Sequence, residues 1–286
     1  MADSSVTRAL VLGGGGVAGI GWETGMLFGL AEGGVDLLNA DVIVGTSAGS
    51  AVAAQVTSGT ALVELYDRLV FPKRESTEIG VEFDVGKLIA EWGALLKAAG
   101  PGRKLRAAIG RFALAASTVP ERTRRDVIGA RLPNSEWPDR DVRIVAVDAG
   151  TGDERIFTSA DGVELVDAVA ASCAVPGIWP AMTVDGRRYI DGGVRSSTNV
   201  DLVADYDVVV VIAPVPDLMA VDPAIDKASK EIAERKQTVV IRPDEASLAA
   251  IGFNPLDPAT AKPSAQAGRA QASSELDGVR AIWEGS

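Results

Sequence analysis

The chain has no histidine, and its 286 residues include a single cysteine. The first absence removes the imidazole that most serine hydrolases use to take a proton from the nucleophile. Together the two absences exclude an intramolecular disulfide and leave too few ligands for a transition-metal site. No run of eighteen apolar residues occurs, so no transmembrane helix is expected. The opening Met1-Ala2-Asp3-Ser4-Ser5-Val6-Thr7-Arg8 lacks the basic and apolar regions of a secretory leader, which makes the cytoplasm the expected compartment. Positive charge is scarce as well. A net charge of −11 argues against nucleic acid as the main partner.

What the chain does have is apolar content. At 47% hydrophobic, with five tryptophans and a mean hydropathy of +0.17, it can bury a full core. Ala9-Leu10-Val11-Leu12 reads as a strand, followed at once by a glycine loop and a helix from about Gly21 to Glu32. Asp41-Val42-Ile43-Val44 reads as a second strand, followed by a helix reaching about Val70. This β-loop-α order predicts a parallel sheet with helices on its faces. Between residues 71 and 138 the rhythm breaks into short helical pieces separated by Pro72, Gly86, Gly93, Gly100-Pro101-Gly102 and Pro120. We read 71–138 as a helical insertion over one end of the sheet, and 7–70 with 139–286 as the core of a single domain. Strands resume at Val142–Val147, Arg155–Phe157, Arg188–Ile190, Val208–Ile212 and Val239–Ile241. The insertion carries an uneven charge. From Lys97 to Arg131 there are nine basic and two acidic side chains, a local net of +7.

Three constellations carry chemistry. Gly45-Thr46-Ser47-Ala48-Gly49 joins a strand to a helix with a serine between two glycines, the layout of a nucleophile elbow. An ordinary βα turn with a serine N-cap would look similar. Gly14-Gly15-Gly16-Val17-Ala18-Gly19 satisfies a dinucleotide fingerprint, but the second strand ends in Gly45-Thr46-Ser47 instead of a ribose-binding acid. The alternative use of such a loop is an oxyanion hole made of bare N–H groups at a helix start. Loops after adjacent parallel strands share one sheet edge, which brings this loop beside Ser47, and the Ala48 N–H can join its donors. Ser50 at the third position after Ser47 excludes an S-x-x-K arrangement with a lysine base. The third constellation is Asp191-Gly192-Gly193 at the end of a short strand. A buried carboxylate there could accept the serine proton, although an Asp-Gly turn is common for other reasons.

Taken together, these residues resemble the patatin-like phospholipases of bacterial type. That family pairs a G-G-G-x-R-G loop, a G-x-S-x-G elbow and a D-G-G/A motif, here Gly14 to Gly19, Gly45 to Gly49 and Asp191 to Gly193. Asp148-Ala149-Gly150-Thr151-Gly152 and Ala171-Ser172-Cys173-Ala174-Val175-Pro176 also look like family blocks. The resemblance covers residues 7–60 and 140–215 and departs at Ala18, where the family carries arginine. It implies a three-layer α/β/α fold with a mainly parallel central sheet. It further implies a Ser47–Asp191 dyad that cleaves lipid acyl esters without metal or organic cofactor. Gly14, Gly15, Gly16 and Ala48 would hold the oxyanion, and Gly19, Gly45, Gly49, Gly192 and Gly193 are the motif glycines. Acyl transfer or thioester hydrolysis would use the same pair, and the loss at Ala18 leaves room for a non-catalytic lipid-binding member. The expected partner is a lipid or phospholipid, with contact to an anionic membrane surface through the basic stretch 97–131. That stretch would read equally well as helices with solvated basic faces.

Overall fold

A computed structural model describes residues 6–72, 77–81, 84–216 and 221–285. Met1 to Ser5, part of the leader-free reading, lie outside the described residues, as do 73–76 and 82–83 of the expected insertion. The chain runs β1 (Arg8–Leu12), α1 (Gly16–Glu32), β2 (Val42–Thr46), α2 (Ala48–Val56) and α3 (Leu62–Val70). Three helices follow without an intervening strand: α4 (Val85–Ala99), α5 (Arg103–Ala115) and α6 (Glu121–Arg131). Then come β3 (Asp141–Asp148), β4 (Glu154–Phe157), α7 (Leu165–Ser172), β5 (Met182–Val184) and β6 (Arg187–Asp191). The remainder is β7 (Val208–Ile212), α8 (Pro223–Ala233), β8 (Thr238–Ile241), α9 (Glu245–Ile251) and α10 (Ala261–Trp283).

The sheet order is β5-β6-β3-β2-β1-β7-β8, with β4 on the free side of β3. From β3 to β8 the pairs are parallel, while β4, β5 and β6 add antiparallel pairs. The period-two alternation of the central strands sorts their side chains onto two faces. Leu10, Leu12 and Ile43 enter a core with α1, α2, α7 and α10. Ala9, Val11, Val42 and Val44 point the other way, under Ile232 of α8. The result is a three-layer α/β/α sandwich around a mainly parallel sheet.

Two expectations need correction. The helix after Ser47 does not run to Val70. It stops at Val56, where the hydroxyls of Thr57 and Ser58 bond back to the Ala53 and Gln55 carbonyls, and Gly59 turns at φ 84°. Helix α1 starts five residues early, inside the glycine loop, so Gly16 and Gly19 are helical. The helices of the insertion pack against both faces of the sheet. Leu88 and Trp92 of α4 and Leu105 and Ile109 of α5 cluster with Val147 and Ile190 on one face. Ile128 of α6 joins the core of the opposite face.

One register detail sets up everything at the site. Ile144 and Val145 of β3 pair with Gly45 and Thr46 of β2 and also with Phe157 and Ile156 of β4, so β2 and β4 lie on opposite sides of β3. Ala146 and Val147 pair with β4 and with Asp191 and Ile190 of β6. Strand β6 therefore occupies the same side of β3 as β2. The two strands arrive from opposite directions and stop in adjacent slots, Thr46 opposite Val145 and Asp191 opposite Ala146. Successive slots are about 3.3 Å apart. Residues 144 positions apart in sequence are thus forced together at the strand ends.

Candidate active site

Ser47 sits between β2 and α2 with φ 52° and ψ −114°, a conformation that strains a residue bearing a Cβ. Neighbours hold it there. Its N–H donates to Ser172 Oγ (2.9 Å), whose hydroxyl donates in turn to the Val145 carbonyl (2.6 Å). Its carbonyl accepts from Ser50 Oγ (2.6 Å) and from the only thiol, Cys173 Sγ (3.1 Å). Close packing needs Gly49, because a Cβ there would lie 2.1 Å from the Leu12 carbonyl oxygen. Gly45 and Gly19 are confined in the same way, against Ser50 Cα (2.6 Å) and the Ala48 Cβ (3.2 Å). The sequence displayed the 171–176 block without indicating that Ser172 and Cys173 clamp the elbow.

The Ser47 hydroxyl donates to Asp191 Oδ2 at 2.7 Å. Asp191 is 5% exposed, its other oxygen accepts from the Gly193 N–H (2.7 Å), and its own N–H donates to the Ala174 carbonyl (3.0 Å). Burial pushes its carboxyl up to about 6, against the opposing pull of the Ser47 and Gly193 hydrogen bonds and the Arg124 charge. Gly192 makes the strand meeting possible. A Cβ there would be 2.3 Å from the Val145 oxygen and 3.3 Å from Thr46 Cγ2. Asn199, wholly buried at φ 54°, ties both strand ends together by donating to Thr46 Oγ1 (3.0 Å) and the carbonyls of Ser196 (2.8 Å) and Gly192 (3.3 Å). No motif in the sequence marks Asn199, since its role exists only once the two strands meet.

The glycine loop lies against the elbow, but the four expected donors, three in the loop and Ala48 in the elbow, are not equivalent. Gly14 already donates its N–H to the Ser197 carbonyl (2.8 Å), which sets it aside as an oxyanion donor in this arrangement. A Cβ there would stand in ordinary contact, 3.7 Å from that of Ser47. Among the described residues no acceptor is recorded for the N–H groups of Gly15, Gly16 and Ala48. Ala18 faces away. It is fully buried in the core with α2 and α7.

Ser47 and Asp191 form part of the wall of a cavity of about 300 Å³. Its lining is mainly apolar and includes Leu88 and Trp92 of the insertion together with Val194, Val221, Ile251 and Leu256. Phe253, also in the lining, is fully exposed. Among the described residues no cluster of histidine, cysteine or acidic side chains could hold a metal ion. No helix of the described residues is long and apolar enough to cross a membrane.

Four of the nine cations in the basic stretch are ion-paired. Arg103 pairs with Asp153, Arg106 with Asp222, Arg125 with Glu164 and Asp167, and Arg131 with Glu78. Arg124 is buried. That leaves Lys97, Lys104, Arg111 and Arg122 as exposed cations for which no ion pair is found among the described residues. Acids far away in sequence supply the charge balance.

A strand-turn-helix serine beside a buried carboxylate and a glycine-rich helix start defines an α/β protein with the layout of a serine hydrolase. The family model for patatin-like phospholipase matches residues 10–204, and the chain belongs to that family. Two solved structures resemble it at low identity. VipD from Legionella pneumophila is 13% identical with a TM-score of 0.47, covering 96% of this chain and 67% of that one. The type III effector protein ExoU is 17% identical with a TM-score of 0.42, covering 96% of this chain and 53% of that one, so the chain spans about half of its length. No curated protein matches significantly.

Proposed function

We propose that the protein hydrolyses fatty-acyl esters of lipids, as a phospholipase A or lysophospholipase type of esterase, with Ser47 as nucleophile and Asp191 as its base. The observation that carries this reading is the 2.7 Å hydrogen bond from Ser47 Oγ to a buried carboxylate in the wall of an apolar cavity. As Ser47 Oγ attacks the ester carbonyl, its proton passes to Asp191 Oδ2 and the carbonyl oxygen takes the negative charge. Collapse breaks the ester C–O bond, and the leaving alcohol takes the proton from Asp191. Water then adds to the acyl-serine, giving its proton to Asp191. The second collapse frees the fatty acid and returns that proton to Ser47.

Two features make a carboxylate an adequate base here. A carboxyl near 6 is a stronger base than one in water, yet stays ionised at neutral pH. The N–H groups of Gly15, Gly16 and Ala48 at two helix starts stabilise the oxyanion, which lowers the demand on the base. The acyl chain is assigned to the apolar cavity, where burial contributes about 0.8 kcal/mol per methylene.

Labelling with a fluorophosphonate probe and mapping the adduct tests the nucleophile. We expect modification at Ser47 alone, and loss of nearly all activity on a short-chain chromogenic ester in Ser47→Ala and Asp191→Ala. A wild-type rate in Asp191→Ala would sink the dyad.

A further inference from the structure

A second, much smaller cavity, about 10 Å³, adjoins Ser47 and shares Gly16, Val175 and Leu256 with the larger one. It has room for about one oxygen-sized atom. Its lining includes Ser47, Gly16, Ala48, Arg124 and Arg131. The two arginines differ in state. Arg131 is spent on Glu78, to which it donates from Nε (2.6 Å) and Nη2 (2.7 Å). Arg124 is 3% exposed, stacks at 3.8 Å on the Trp179 ring, and has no hydrogen-bond acceptor for Nε or Nη1 among the described residues.

A buried guanidinium with unsatisfied N–H groups costs several kcal/mol unless something compensates it. The Trp179 ring and the charges of Glu78 and Asp191 offset part of that cost, while Nε and Nη1 still lack an acceptor among the described residues. Arg124 lines the same small cavity as Gly16 and Ala48, whose N–H groups have no acceptor among the described residues. The position in the glycine loop that carries arginine in the family pattern is here Ala18, which points into the core.

We propose that Arg124, delivered by α6 of the insertion, completes an anion pocket with the N–H groups of Gly16 and Ala48 and binds the ester carbonyl oxygen as it becomes negatively charged. The inference rests on the serine-hydrolase reading and adds a charged donor to it from outside the glycine loop. The groups facing the Arg124 guanidinium are Arg131 on its own helix, Glu78, Cys173 and Asp191. Burial and Arg131 pull it down to about 10, so it is still protonated at neutral pH. Its charge also favours the ionised form of Asp191. Removing it therefore moves the acid limb of the rate profile to higher pH, because a carboxylate that loses a nearby cation binds its proton more tightly.

The test compares Arg124→Met and Arg124→Lys with the wild type on a soluble chromogenic ester, by kcat, KM and pH profile, with melting temperature alongside. Methionine keeps the contact with Trp179 and removes the charge. We expect kcat to fall about 100-fold with KM nearly unchanged, as when one oxyanion donor is lost. The acid limb should rise above about 6 and the melting temperature should not fall. Lysine should restore the limb and part of kcat. A purely structural arginine would lower the melting temperature and leave the limb in place, and that result overturns the proposal. So does a lysine variant no better than methionine. Should the methionine variant fail to fold, lysine against wild type decides, with a displaced limb or an unchanged kcat as the refuting result. Ser47→Ala runs as a control, and activity surviving there refutes the serine mechanism, separately from the role of Arg124.

Discussion

Asp191→Asn should inactivate the protein and stabilise it, and the stabilisation should depend on pH in a defined direction. The wild-type carboxyl moves from an ordinary value of 3.8 to about 6 on folding because burial penalises its charge. A native state that holds the proton more tightly than the unfolded chain is most stable when that proton is bound. Its stability falls as pH rises from about 4 through 6 and is level above that. A shift of about two units corresponds to about 3 kcal/mol at pH 8, at about 1.4 kcal/mol per unit. Asparagine imitates the protonated carboxyl: its oxygen still accepts from the Gly193 N–H, and its amide can donate to Ser47 Oγ. The variant should therefore be about 3 kcal/mol more stable at pH 8, about 6–10 °C in melting temperature. The gap should narrow to below about 1 kcal/mol by pH 4. Glu23, wholly buried and likewise pushed up by burial, is present in both proteins and cancels in the difference. Urea unfolding followed by tryptophan fluorescence at pH 8, 6 and 4 measures the gap. A variant less stable than wild type at pH 8, or a gap that does not change with pH, refutes the argument that burial holds this carboxyl up.

Two further predictions concern the strand meeting and the surface. Gly192→Ala places a methyl 2.3 Å from the Val145 oxygen, and backbone cannot yield cheaply there. It should cost about 3 kcal/mol of stability and, by displacing Asp191 relative to Ser47, more than about 100-fold in kcat. Equilibrium unfolding and ester kinetics check both numbers, and near-wild-type values would refute the head-to-head geometry. For the membrane, liposome flotation with and without anionic lipid should show binding that requires the anionic lipid. Neutralising Lys97, Lys104, Arg111 and Arg122 to Gln should weaken it by up to about 4 kcal/mol. Binding indifferent to lipid charge would remove the basic surface from the account.

The sequence by itself determined the local devices: the strand-loop-helix alternation, the elbow at Ser47, the glycine loop and the Asp191 turn. Each is written in a short window, because hydrophobic period, small residues where backbones touch, and helix starts depend on neighbours a few positions away. Where a local signal is weak, as at the Thr57–Ala61 break that separates α2 from α3, hydrophobic pattern alone predicts one continuous helix. Only the tertiary structure decided that β2 and β6 share one side of β3, which sets Ser47 against Asp191 and gives Asn199 its purpose. It also committed the Gly14 N–H to Ser197, matched four cations of the basic stretch with distant acids, and brought Arg124 to a small cavity beside Ser47. These outcomes follow from strand register and from which helix faces which layer. Such choices are made between segments far apart in the chain, and no window of sequence contains both partners.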